Sequence, residues 1–459
     1  MTEKYNKQTK ASGSQNRTGN RPQNGRPVNP RKLVLNLLKN IMREQQTLDE
    51  ALNNNKADFE SMERRDRAFA RLLISTLMRR LGQIDKAINA CMKRRLPAKM
   101  VDVRDIIRLG AVQLLYLDTP PHAAVSTSLD LARGPKLSGN KPVMNAVLRR
   151  LAREGKDMLA KMDESQDNLP NWLWKKWSET YGEETAKAIS LSHLAEAPLD
   201  LTVKDAPEEW AEKLGGVINS GNSIRLPAGT GDPVFLEGYQ EGHWWVQDFA
   251  ASLPALLLGS VEGKKVGDIC AAPGGKTAEL VTAGAEVTAV DSSAKRLTRV
   301  HENLERLQLD AKVIQADATT WQPEEEFDAL LLDAPCSATG TLRKHPELGR
   351  IKRPKDIQTL AELQRELLEN CAKMIKPGGT LVYATCSLEP EEGQYQIERF
   401  LKKNGVSFER LPVQPEELGS ADWLEMLLTK EGDLRCLPCH RHDEGGMDGF
   451  YACRLRRIA

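Results

Sequence analysis

Two apolar runs that break off on a cysteine-bearing turn constrain the fold more than anything else in the chain. LLLDAPCSATG (Leu330 to Gly340) and LVYATCSLEP (Leu381 to Pro390) each pass from apolar residues into a small, polar, Pro- or Ser-marked turn. A run without polar alternation is the pattern of a strand buried on both faces, as in a parallel sheet covered by helices. Ligands of open α/β sheets sit outside the carboxyl ends of the strands. Cys336 and Cys386 are therefore expected to face one pocket from two strands.

The surrounding sequence supplies the rest of such a sheet. From Val266 onward, VGDICA, AEVTAVD, AKVIQAD, FDALLLDAP and GGTLVYATCS alternate with helical patterns over Lys276–Val281, Lys295–Leu307, Asp356–Met374 and Gln394–Lys403. That order predicts an α/β doubly wound, Rossmann-like domain over 244–459, closed by antiparallel strands between Leu434 and Leu455. A chain of 459 residues exceeds one core. Residues 29–156 read as an all-α domain, with Leu33, Leu37, Leu38 and Ile41 on one helix, Phe69 to Leu81 on a longer one, and Ile106, Leu109, Val112 and Leu115 on another. Residues 157–168 read as a linker. Residues 169–243 read as a small α+β domain, with a helix from Leu169 through Ile189, strands at LDLTV and SIRLP, and a helix at Glu208–Leu214. WWVQDFAASLPALLLG (Trp244 to Gly259) reads as the helix leading into the sheet.

Charge is balanced, 65 Lys+Arg against 64 Asp+Glu, so no global field points to a polyanion and any basic surface is local. Residues 1–28 hold almost nothing that a core would take and read as a disordered basic tail. No apolar run approaches the roughly 20 residues of a membrane span, and the polar start does not suit a secretory signal, so the expected location is the cytoplasm. Eight thinly spread cysteines are then expected reduced, as buried apolar groups, ligands or nucleophiles.

The turn DICAAPGGKT (Asp268 to Thr277) joins a strand to a helix start, a geometry that brings a ligand up to backbone N–H groups. A P-loop needs glycine six residues before the lysine, where this chain has Cys270, and no G-x-G-x-x-G is present. What remains suits a nucleoside without phosphates. Asp291 ends the second strand, where a carboxylate accepts from a ribose diol, and Asp317 ends the third, near the place of an adenine amine. The composite reads as a site for S-adenosylmethionine. A methyl donor alone does not alkylate C5 of a pyrimidine, but a thiolate adding to C6 makes C5 nucleophilic, which requires a cysteine at the base. Asp333, three residues before Cys336, is placed to hold or protonate N3.

DxCAAPGGKT, DAPCSxTG followed by RKHPE (Arg343 to Glu347), YATCSLxPEE (Tyr383 to Glu392) and DGFYACRL (Asp448 to Leu455) together resemble the NOL1/NOP2/Sun family of RNA cytosine-5 methyltransferases. RRDRAFARLL, RLGAVQLLYLDTPPHAAVSTSLDLAR and NAVLRRL resemble a NusB-like RNA-binding domain, on which Arg64, Arg65, Arg67 and Arg71 stand as a phosphate-facing stripe or as the solvated face of a helix. The resemblance implies that Cys386 is the nucleophile and that Cys336 assists product release. It also implies donor contacts from Cys270, Ala271, Ala272, Pro273, Gly274, Gly275, Lys276, Asp291, Asp317 and Asp333. The implied substrate is small-subunit ribosomal RNA, expected unassembled because the target base must leave its stack, and no feature demands an oligomer, so a monomer is expected; the alternatives are a transfer-RNA or DNA methyltransferase, or a non-catalytic NusB-like RNA-binding factor. Where the family shows an Arg-x-Asn strand, this chain has LTVK, with Lys204 as a substitute phosphate contact. CLPCHRH (Cys436 to His442) has the residue types of a metal or haem site but reads as a loop, and no metal is expected.

Overall fold

The computed structural model describes residues 28–458, so the basic tail predicted over 1–28 lies almost wholly outside the described residues. Helices occupy Pro30–Glu44, Arg64–Arg79, Leu81–Ala90, Val101–Leu115, Pro121–Leu129 and Lys141–Leu159. Leu33, Val34, Leu37, Leu38 and Ile41 recur every three or four residues and are buried together, which fixes the inward face of the first helix. The helix expected from Phe69 through Leu81 ends at Arg79, and Leu81 opens the next.

The single helix expected from Leu169 to Ile189 is two, Asn171–Tyr181 and Glu183–Ser192. Gly182 between them has φ +83°, which no continuing helix accommodates. Leu173, Trp177, Ala186 and Ile189 on this pair are buried in the same cluster as the N-terminal helices, so the boundary drawn at 169 runs through one core. The 157–168 stretch is structured as well, holding the end of the Lys141–Leu159 helix and a short helix, Glu164–Asn168.

A small antiparallel sheet follows, made of β1 (Leu199–Val203), β2 (Val217–Ser220), β3 (Ser223–Leu226) and β4 (Trp244–Val246) in the order β2-β3-β1-β4. Strand β4 stands where a helix was expected to begin. Trp244 pairs with Val203 across the sheet, and the helix starts only at Phe249, after Asp248 has capped it by accepting from the Ala250 N–H.

The large sheet contains β5 (Lys265–Ile269), β6 (Glu286–Asp291), β7 (Lys312–Gln315), β8 (Phe327–Asp333), β9 (Ile375–Thr385), β10 (Phe408–Arg410), β11 (Leu434–Cys436) and β12 (Phe450–Arg457). Its order is β10-β12-β9-β8-β5-β6-β7, with β11 also on β12. Strands β9, β8, β5, β6 and β7 are mutually parallel, and β12 returns antiparallel along β9. The expected doubly wound sheet with its antiparallel closure is thus present. Order reverses at β5, so the carboxyl ends of β5, β6 and β8 open on one crevice.

Candidate active site

The two thiols meet. Asp333 at the end of β8 lies opposite Ala384 of β9 in register, and the turns that follow carry Cys336 and Cys386 to an Sγ–Sγ separation of 3.4 Å. Both side chains are half-buried. The Cys336 thiol is held well above its ordinary range, first by its hydrogen bond with Cys386 and then by burial. The two sulfurs share one hydrogen bond, and the Cys336 thiol keeps its proton.

One carboxylate holds both turns. Glu392, fully buried, accepts from the Ser337 N–H at 2.8 Å, from the Ser337 hydroxyl, from the Ser387 hydroxyl at 2.5 Å and from Gln364 Nε2 at 3.1 Å. Ser337 and Ser387 each follow a site cysteine, so Glu392 fixes the two sulfurs relative to each other. Its backbone carbonyl also accepts from Tyr383 and Thr385 of β9. None of Glu392, Ser337, Ser387 and Gln364 was singled out from sequence. The available signal was the Cys-Ser pair repeated at both strand ends.

The glycine turn lies beside them. Cys270 to Gly274 leave β5 in a tight loop in which Cys270 has φ +64° and Gly274 φ +100°, and the helix Gly275–Thr282 begins at once. Gly274 needs its left-handed conformation, and a Cβ there would stand 3.3 Å from Val300. The Ala271 and Cys270 N–H groups both donate to the Val290 carbonyl, while Arg296 and Asn303 hold the Ala272 and Pro273 carbonyls from the neighbouring helix. Burial pushes the Cys270 thiol up to about 12, so it packs the loop as a neutral group. Asp268, also buried, accepts from Thr277 at 2.5 Å on one oxygen and leaves Oδ1 without a partner; burial drives its carboxyl up to about 6.

The strand-end acids diverge in setting. Asp291 is buried and accepts from the Ala272 and Ser293 N–H groups, with Arg296 at 3.3 Å. Asp317 is exposed and accepts from Thr319, whose hydroxyl and N–H hold its carboxyl below the usual range. Asp333 is paired with Lys276 at 2.8 Å. Burial alone would lower the Lys276 ammonium, but Asp333 outweighs it and holds the group above its ordinary value. Lys276 and Asp333 thus stand as an ion pair, a donor beside an acceptor, at the end of β8.

The walls come from the rest of the chain. Gln247, just past β4, receives hydrogen bonds from Thr202 and Trp245 and donates to Glu279 on the glycine-turn helix at 2.6 Å. Arg343 and Lys344 of the RKHPE stretch sit between Asp248 and Asp448, with N–O distances of 2.5–3.4 Å. Burial raises Asp248, but Lys344 and Arg343 pull it below the carboxylate range. From the helical side, Trp177 Nε1 donates to Glu389 at 3.0 Å, Tyr181 donates to the Leu388 carbonyl and Lys176 pairs with Glu391 at 2.6 Å. The turn after Cys386 is thus braced by a helix more than 200 residues away in sequence.

Lys204 and the CLPCHRH segment each have defined partners within the fold. The Lys204 ammonium donates to the Leu307 carbonyl at the end of the Ala294–Leu307 helix. It sits at a helix C-terminus, where a cation is favourable. In CLPCHRH, Cys436 lies buried in β11 opposite Phe450, and His440 Nδ1 accepts from the Leu437 N–H in a local turn. Among the described residues no three His, Cys, Asp or Glu side chains converge as a metal site would require, and no helix is long and apolar enough to cross a membrane.

A parallel sheet with its order reversed at β5, a glycine turn opening a helix there and a buried carboxylate closing the next strand define the class of S-adenosylmethionine-dependent methyltransferases. Residues 255–456 match the family described as 16S rRNA methyltransferase RsmB/F, and residues 28–153 match the NusB family. Ribosomal RNA small subunit methyltransferase B of Shewanella oneidensis is 35% identical over 410 residues, 85% of this chain and 91% of that one. The protein of the same name from Shigella sonnei is 37% identical over 357 residues, 74% and 82% of the two chains. The crystal structure of PH0851 shares the fold with a TM-score of 0.70 over 94% of this chain and 99% of that one, at 23% identity. The chain belongs to the ribosomal RNA small subunit methyltransferase B family, and is an S-adenosylmethionine-dependent ribosomal RNA methyltransferase with a NusB domain in front.

Proposed function

We propose that the chain methylates C5 of a cytidine in small-subunit ribosomal RNA before assembly, acting as a monomer, through a covalent bond from Cys386 to C6. The observation that carries this reading is the pair of sulfurs 3.4 Å apart on adjacent strand ends. An N- or O-methyltransferase has no use for two converging thiols, whereas C5 of a pyrimidine is unreactive until a thiolate adds at C6.

The methyl donor fits the crevice at β5 and β6. Asp268 leaves a buried oxygen unpartnered there, and Asp291 presents a carboxylate beside the turn Cys270, Ala271, Ala272, Pro273, Gly274 and Gly275. Those residues, with Lys276, Asp317 and Asp333, are the ones to hold it. Its sulfonium supplies an electrophilic methyl group. Cys386, having given its proton to solvent, adds to C6 as the thiolate and the C5–C6 electron pair becomes available at C5; Lys276 and Asp333 hold N3 and the exocyclic amine, Lys276 donating and Asp333 accepting. After C5 has taken the methyl group, its proton must leave and the C6–S electrons must return to Cys386. Cys336 is placed to assist this: it keeps its proton and donates a hydrogen bond to the departing Cys386 sulfur, while the C5 proton passes to solvent, the C5–C6 double bond re-forms and the C6–S bond breaks to leave Cys386 as thiolate. The target base has to leave its stack, so a loop or otherwise unpaired cytidine is the expected target.

The test is product identity. Donor carrying a labelled methyl group is incubated with protein-free small-subunit RNA, assembled subunits, transfer RNA and DNA, and the products are digested to nucleosides. Label in 5-methylcytidine from protein-free ribosomal RNA is expected. Label in any other nucleoside, or preferential labelling of transfer RNA, overturns the reading.

A further inference from the structure

A second concave surface lies on the helical domain. The segment Cys91–Pro97 and the helix Lys141–Leu159 enclose an open groove of about 610 Å³. Lys93, Arg94 and Arg95 line one bank and Arg150 and Arg153 the other. Its floor is apolar, from Leu96, Val143, Ala146 and Val147, with Val143 42% exposed. Five cations around an apolar floor make one surface that offers a ligand both positive charge and an apolar face.

The charges are not used up internally. Glu154 pairs with Arg150 at 2.8 Å and Arg153 at 3.1 Å, one carboxylate for two guanidinium groups. Lys93, Arg94 and Arg95 are exposed and carry no ion pair among the described residues. The chain as a whole is nearly neutral, at +1, so this is a local field rather than a general one.

We propose that this groove docks a single-stranded segment of the ribosomal RNA substrate, with phosphates on the two banks and an unstacked base against Val143 and Leu96. It rests on ribosomal RNA being the substrate and not on which atom is methylated. A duplex is less suited, since a groove with an apolar floor rewards a base face that only unpaired RNA offers. The Arg64 to Arg71 stripe is a weaker candidate, because two of its members are stacked on the chain's own rings, Arg64 over Phe235 and Arg71 over Phe59.

The experiment compares the full chain with a variant carrying Lys93→Gln, Arg94→Gln, Arg95→Gln and Arg153→Gln, and with Val143→Glu alone, which sets a carboxylate on the exposed floor should the fourfold variant fail to fold. Binding of a long small-subunit RNA fragment is followed by anisotropy across a salt series, beside methyl-transfer kinetics. Both variants are expected to raise the KM for RNA tenfold or more with kcat unchanged. The fourfold variant should also flatten the salt dependence by about 3 logarithmic units per unit of log salt, from roughly 0.7 per phosphate neutralised. RNA bearing 4-thiouridine should cross-link to residues 91–97. Unchanged KM and salt slope in both variants, or a groove that binds polyglutamate while RNA affinity stays at the wild-type value, overturns the proposal. If the wild type methylates a base other than cytidine, the functional reading falls, and the binding and cross-linking arms still decide the groove.

Discussion

Glu392 carries both halves of the site, and removing it is the sharpest single-residue perturbation. Glu392→Ala leaves the donors of Ser337, Ser387 and Gln364 buried without their acceptor, at about 1–3 kcal/mol for each group left unsatisfied. Loss of several kcal/mol in denaturant unfolding is expected, with kcat down at least tenfold. Glu392→Gln, which keeps the shape but turns one oxygen into a donor, should fall between. Asp268 gives a pH prediction with a definite sign. Its carboxyl titrates near 6 in the fold against about 3.8 in the unfolded chain. Between those values the folded protein keeps a proton that the unfolded chain has lost, so this group's contribution is present below about pH 4 and is lost as pH rises through 6. A two-unit shift corresponds to about 3 kcal/mol. Asp268→Asn should abolish that slope in unfolding free energy measured from pH 4 to 7; an unchanged slope would assign it to other groups.

The elements of the sheet were legible where burial imposes a pattern. Parallel strands covered on both faces must be continuously apolar, so β5, β6, β8 and β9 and the helices between them stand out in sequence, and with them the meeting of Cys336 and Cys386. Strands β2, β4 and β10 are three or four residues long, too short to show a period, and Trp244 in β4 falls in a stretch whose pattern reads as helix. The fate of Lys204 was hidden because its partner is the far end of another helix. At this scale the glycine turn is the element to test. Gly274→Ala forces a residue with a Cβ to φ +100° and presses it on Val300, a strain of about 1–3 kcal/mol. The KM for the methyl donor is expected to rise at least tenfold with the KM for RNA unchanged; equal effects on both would place the turn elsewhere in the mechanism.

At the scale of the molecule the catalytic sheet is not free-standing. Leu342, Leu348, Ile351, Leu388 and Leu437 belong to the buried cluster of the N-terminal helices, and the Glu347 carboxylate accepts from the Leu48 N–H at the start of a helix there. Arg79 donates to the Arg343 carbonyl across 264 residues. Contacts at such separations leave no periodic trace, so the sequence could separate the helical and catalytic parts but not show that they share a core. A fragment of residues 244–459 is expected to expose that apolar face and to aggregate, or to unfold well below the full chain in a thermal melt. A fragment as stable as the whole would show the helices to be an independent attachment. The most direct test of the central claim is covalent. Full-length Cys336→Ala, given donor and ribosomal RNA, is digested with nuclease and protease, and the peptide carrying the nucleotide is identified by mass. A methylated nucleotide attached at Cys386, with none formed by Cys386→Ala, is the predicted result; attachment at another residue, or no adduct from the Cys336 variant, contradicts it.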